Sequence, residues 1–89
     1  MRFIWHEPKR QDNLKKHGAD FADAESVFSG PTFTFEDDRE GYGEQRWVTL
    51  GLLGDKVMVI VHTETEDEIR VISMREAGKN EQLLFFTNL

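Results

Sequence analysis

The chain is expected to be an α+β domain: an antiparallel β-meander preceded by two helices and followed by a short one, in the order βααββββα. Three observations predict this. Runs rich in valine, isoleucine and threonine, Arg46–Leu52, Lys56–His62 and Ile69–Met74, follow one another closely, separated by Leu53-Gly54-Asp55 and an acidic turn around Glu66-Asp67. Helix punctuation lies upstream of them, with Pro8 suited to a first turn, Gly18 to a helix end, and Gly30-Pro31 to a second stop. A length of 89 residues suits one core and not two, so residues 1–89 read as a single domain.

Arg2–His6 opens the chain as a short strand, with Phe3 and Trp5 on one side and Ile4 on the other. The first helix, from Pro8 to Gly18, is polar apart from Leu14 and is expected to be mostly solvated. Asp20 can cap the second, whose Phe21, Ala24, Val27 and Phe28 form an apolar stripe at helical spacing. Thr32–Phe35 reads as a strand leading into the charged loop Glu36–Gly43. After the meander, a last helix spans about Asn80–Phe86.

If Leu53-Gly54-Asp55 is a three-residue hairpin loop, Arg46 lies opposite His62. If the next loop centres on Glu66, His62 faces Arg70. The expected row is therefore Arg46–His62–Arg70, above the layers Val48–Ile60–Ile72 and Leu50–Met58–Met74. Two guanidinium forks beside an imidazole suit a phosphate. The plainer alternative is that both arginines sit at the sheet rim and pair with Glu44, Glu64 or Glu68. Both sheet faces read as apolar and need cover, and Leu83, Leu84, Phe85 and Phe86 add an apolar tail, so a partner chain is expected.

A net charge of −6 argues against broad, nonspecific nucleic-acid binding. Residues 31–68 hold three basic and ten acidic side chains, so any phosphate site must be local, and the acidic middle suits a basic partner. With no cysteine there is no disulfide framework, thiolate zinc site or thiol nucleophile. His6, His17 and His62 match no zinc spacing, so neither metal nor cofactor is expected. No apolar run is long enough for a bilayer and no signal-peptide pattern opens the chain, which makes the cytoplasm the expected location.

An ordered set of motifs covers nearly the whole chain. It runs Phe3-x-Trp5-x-x-Pro8, Asn13-x-x-Lys16-His17-Gly18-x-x-Phe21, Ala24-x-x-Val27-Phe28 and Pro31. It continues through Tyr42-Gly43-Glu44-x-Arg46-Trp47, Gly51, Ile69-Arg70-Val71-Ile72-Ser73-x-Arg75-x-Ala77 and Glu81. This set resembles the BrnT-type toxins. The resemblance implies a RelE-like fold and the toxin of a type II toxin–antitoxin pair. Such a toxin is a metal-independent ribonuclease that inhibits translation. Its partners are RNA and a neutralising, BrnA-like antitoxin of the ribbon-helix-helix type, and a toxin–antitoxin heterotetramer is an assembly in keeping with it.

The chain departs from the pattern in places. Met74 stands where relatives have alanine, and Thr65 where an arginine often stands. A histidine common in the acidic loop is replaced near Glu40, and the last helix keeps only Lys79 of an arginine-dense set. Fewer cations mean fewer phosphate contacts. The alternative function is therefore a non-catalytic interaction module that binds the antitoxin on the same scaffold.

RNA cleavage without metal needs a base for the 2′-hydroxyl, cations for the charged phosphorane and an acid for the leaving oxygen. Arg46 and Arg70 are the candidates for the phosphate, and His62 or Glu44 for proton transfer. Arg75 matches the family motif, yet the expected register sets it on the opposite face beside Val57 and Gly51. That leaves catalytic, antitoxin-binding and structural roles open to it. Lys16 and His17 are candidates for RNA binding or, alternatively, complement a helix C-terminus. Tyr42 is the better candidate to stack a base, Trp47 belonging to the core.

Overall fold

The computed structural model describes residues 1–39, 41 and 43–89. Strand β1 (Arg2–Trp5) leads into helix α1 (Glu7–His17), and a 3-10 turn (Phe21–Asp23) runs into α2 (Ala24–Phe28). Strands β2 (Thr32–Asp37), β3 (Arg46–Leu53), β4 (Lys56–Glu64) and β5 (Glu68–Glu76) follow, then α3 (Lys79–Thr87). The sheet order is β1-β5-β4-β3-β2. Strands β2 to β5 pair antiparallel, as the meander predicts, but β1 runs parallel to β5, so the sheet is mixed. A free outer edge on β5 receives β1, and the long connection through three helical segments and three strands permits the parallel direction that a tight hairpin forbids.

Helix α1 ends where Gly18 takes a φ of 68° and its N–H returns to Leu14 O. Leu14 is not its anchor, being exposed; Asn13 is. The buried Asn13 amide donates to Met74 O at 2.7 Å and accepts from Met74 N at 3.2 Å. It thus serves as a strand partner for β5 beyond the last residue of β1. Asp20 caps the 3-10 turn by accepting from Ala22 N, as expected, and forms a two-point pair with Arg10 at 2.7 and 2.9 Å.

The register differs from expectation by one residue. The β3–β4 turn has two residues, with Leu53 opposite Lys56 and Gly54 at a φ of 62°. A two-residue turn of the II′ kind needs that positive φ at its first central position. Trp47 therefore faces His62, and Val48 faces Val61. Between β4 and β5 the pairing shifts at Val61/His62: His62 opposes Val71, and Val61 opposes Ser73. Ile72 is the additional residue of a β-bulge.

These shifts sort the sheet into two faces. One presents Met58, Ile60, Val71 and Met74 to the helical layer of Phe21, Ala24 and Val27, with Phe3, Trp5 and Phe28 around them. Gly51 belongs to this contact, since a Cβ there would lie 2.6 Å from Val27 Cγ1. The other face gathers Leu50, Val57, Val59 and Ala77 under Phe85 of α3. Helix α3 covers only that end and leaves Leu83, Leu84 and Phe86 exposed. Among the described residues, no helix is long and apolar enough to cross a membrane.

Candidate functional site

The uncovered part of the α3 face carries Arg46, Arg70 and Arg75. Asp37 pairs with Arg46 across β2 and β3, and Thr63 pairs with Arg70 across β4 and β5. Because Trp47 opposes His62, Thr63 falls in the row between the two arginines where His62 was expected. Arg46 and Arg70 do come together. A single Glu44 oxygen accepts from Arg70 Nη2 at 2.7 Å and from Arg46 Nη2 at 3.4 Å. This is also the rim pairing with Glu44 that the plainer alternative describes. Three charged side chains from β3, β5 and the loop before β3 thus meet at one point.

His62 is on the opposite face. It is fully buried, its Nε2 lies 2.7 Å from Thr49 Oγ1, and its ring meets Phe28 edge-on at 5.1 Å. Thr49 in turn bonds Thr34 across the strands at 2.7 Å. Burial pushes the imidazole down to about 4, so it is neutral at physiological pH. Glu64 approaches its Nδ1 only to 3.5 Å. The expected row thus loses its histidine to the core, because the shorter turn moved β4 by one residue.

Arg75 moves the other way. It lies five residues after Arg70, which in a regular strand means opposite faces, but the bulge at Ile72 restores both to one face. There Arg75 opposes Val59, and not the expected Val57 and Gly51. It makes a two-point pair with Glu81 of α3 at 2.8 and 2.7 Å. The Arg75 guanidinium holds the Glu81 carboxyl below its usual range, and Glu81 holds Arg75 above its own. Glu81 also accepts from Gly78 N at 2.9 Å, closing the first turn of α3.

A groove of about 310 Å³ lies between these groups, with a floor of Phe35, Val48, Val59, Val61 and Ser73 and a rim of Asp37, Arg39, Arg75 and Glu81. Arg39 pairs with Asp37 at 2.9 and 2.7 Å and holds that carboxyl below its usual range. Beyond Arg70, a second cavity of about 300 Å³ is lined by His6, Lys9, Arg46, Arg70, Val71 and Ile72. Lys9 and Ile72 also line the adjoining cavity, with Lys16, His17, Asp12, Asn13 and Ser73. The structure thus sets Lys16 and His17 near the arginine face without joining them to Glu44. Tyr42 lies outside the described residues. Another cavity, about 570 Å³ between Met1, Arg2, Thr65, Asp67 and Glu68, holds two acids and one arginine and is a poor anion site.

Sequence reasoning missed Lys9, His6 and Arg39. The signal for Lys9 was its seven-residue spacing from Lys16, which puts both on one side of α1. The signal for His6 was alternation along β1, which places it on the side of Ile4, the residue paired with Arg70.

A family model described as the ribonuclease toxin BrnT of type II toxin–antitoxin systems matches residues 5–81. No curated protein matches the chain.

Proposed function

The chain belongs to the BrnT family of type II toxin–antitoxin ribonuclease toxins, and from that premise we propose that it cleaves RNA without a metal ion, inhibits translation in the cytoplasm and is neutralised by a cognate ribbon-helix-helix antitoxin. One observation supports the chemistry: Arg46 and Arg70, from different strands, converge on one carboxylate oxygen on an open sheet face. A phosphate is a larger anion with oxygens spaced for the same forks. On this reading the two guanidinium groups take the scissile phosphate, and Glu44, displaced from them, accepts the 2′-hydroxyl proton. His62 is set aside from this step because it is buried on the other face.

Lys9, Lys16 and His17 flank the arginines and carry neighbouring backbone phosphates. Arg75 serves mainly to hold α3 through Glu81. Tyr42 keeps its assigned base-stacking role on the sequence alone. Each positioned donor to the phosphorane contributes roughly 10²–10³ in rate.

A second reading, an antitoxin-binding module without ribonuclease activity, has one specific observation in its favour. Helix α3 exposes Leu83, Leu84 and Phe86 and has Lys79 as its sole cation. Its apolar surface suits a protein better than RNA.

The test is incubation of the purified chain with structured RNA in excess EDTA, with and without ribosomes, beside Arg70→Ala. Cleavage by the parent alone supports the ribonuclease reading. Loss of RNA cleavage in every arm, with antitoxin binding kept by both proteins, favours the module. Equal cleavage by both proteins rejects the assignment of Arg70.

A further inference from the structure

Transesterification of RNA needs a proton donor for the leaving 5′ oxygen as well as a base for the 2′ oxygen. Glu44 reaches the Arg70 guanidinium from the β3 side of the sheet. Strand β1 lies on the other side of β5, pairing Ile4 with Arg70 and Trp5 with Val71. His6 comes next, exposed, and shares the walls of the 300 Å³ cavity with Lys9, Arg46 and Arg70. No acidic side chain among the described residues lines that cavity. Among the described residues, the charged groups around His6 are Arg70 from β5, Arg46 from β3, Lys9 and Glu7 from α1, and Glu44, which pairs with both arginines. Glu7 is occupied by Trp5, Arg10 and Gln11 at 3.0, 2.7 and 2.8 Å. His17, the other exposed histidine, lines the adjoining cavity, which neither Arg46 nor Arg70 enters.

We propose that His6 is the general acid of the reaction and that its cavity is the seat of the scissile phosphate, an assignment that rests on the ribonuclease reading. In the step, the 2′-hydroxyl proton passes to the Glu44 carboxylate and the 2′ oxygen forms the new bond to phosphorus. The bond from phosphorus to the 5′ oxygen breaks, its electron pair stays on that oxygen, and the oxygen takes the proton of the His6 imidazolium. The products are a 2′,3′-cyclic phosphate and a free 5′-hydroxyl.

The test compares the parent chain with His6→Asn on two substrates: ordinary RNA, and the same RNA with sulfur in place of the bridging 5′ oxygen, whose thiolate leaves without a proton. His6 occupies the N-cap position of α1 and makes no side-chain cap bond, and asparagine is a favoured N-cap, so the variant keeps the helix. His6→Asn is expected to cut ordinary RNA roughly 10²–10⁴-fold more slowly. On the sulfur substrate it matches the parent. If it cuts ordinary RNA as fast as the parent, the acid role is overturned while the ribonuclease reading survives. An equal deficit on the sulfur substrate also overturns it, since His6 then only positions or binds. A parent inert on both substrates, with and without ribosomes, ends the ribonuclease reading and the acid role together.

Discussion

His62 and Thr63 are neighbours on β4 and point to opposite sides of the same sheet. On His62's side, helices close over the strands and the imidazole is neutral, held by Thr49 and Phe28. On Thr63's side the sheet is more open, and Arg46, Arg70 and Arg75 pair with Glu44 and Glu81. A fully desolvated charge costs several kcal/mol, so this chain puts the His62 imidazole inside only in the uncharged form and gives its fixed charges on the other face carboxylate partners. One face is thus closed over by helices, and the other carries the proposed phosphate site.

The largest separation between the faces comes from truncating one residue on each. Arg70→Ala is expected to lower cleavage about 10²–10³-fold while changing stability by no more than about 0.5 kcal/mol, measured by initial rates and by urea melts. His62→Ala is expected to do the reverse in kind, destabilising by roughly 2–4 kcal/mol because it opens a cavity beside Phe28 and leaves Thr49 short of a partner. If Arg70→Ala unfolds the chain, the open face is a structural rim and the contrast fails.

Protonation tests the same contrast by a smaller step. The folded His62 resists the proton, lowered from 6.5 to about 4 by burial, whereas the unfolded chain takes it up freely. Unfolding therefore binds protons across that window, and stability falls as pH drops from about 6.5 to about 4, by at most about 3 kcal/mol. Below that the contribution is constant. Asp20, held down to about 2 by Arg10, adds its own loss only as pH falls below its ordinary 3.8. His62→Gln should abolish the upper step and leave the lower; an unchanged upper step assigns it to another group.

Much of the architecture could be read from the chain because period and punctuation carry it: Pro8, Gly18, the Asp20 cap and the three β-rich runs lie where the structure has them. Register could not, because it turns on single residues. Whether Gly54 belongs to a two- or a three-residue turn decides which face receives His62, and both patterns are apolar on both sides. The bulge at Ile72 leaves no mark in the alternation, so Arg75 was set on the wrong face. Arg46, Arg70 and Glu44 converge despite the slip because Arg46 and Arg70 still flank one β4 residue, Thr63 in place of His62. The parallel pairing of β1 was equally hidden, since four residues say nothing about their direction.

The smallest effect separates the two arginine–glutamate pairs within the open face. Arg70 meets one oxygen of a loop glutamate that it shares with Arg46, whereas Arg75 takes both oxygens of Glu81, which also closes the first turn of α3. A shared, single-point pair yields readily to an incoming phosphate; a two-point pair anchored in a helix does not. Arg75→Ala is therefore expected to cost about 1 kcal/mol, a modest figure because both side chains are partly solvated, and to speed amide exchange in α3 ahead of the sheet. Lysine should not restore it, since an ammonium cannot span both oxygens. Stability from this pair declines as acid protonates Glu81, whose carboxyl Arg75 holds below its usual range. If Arg75→Ala instead abolishes cleavage and leaves α3 exchange untouched, Arg75 acts beside Arg70 on the phosphate, and the open face holds three working arginines in place of two.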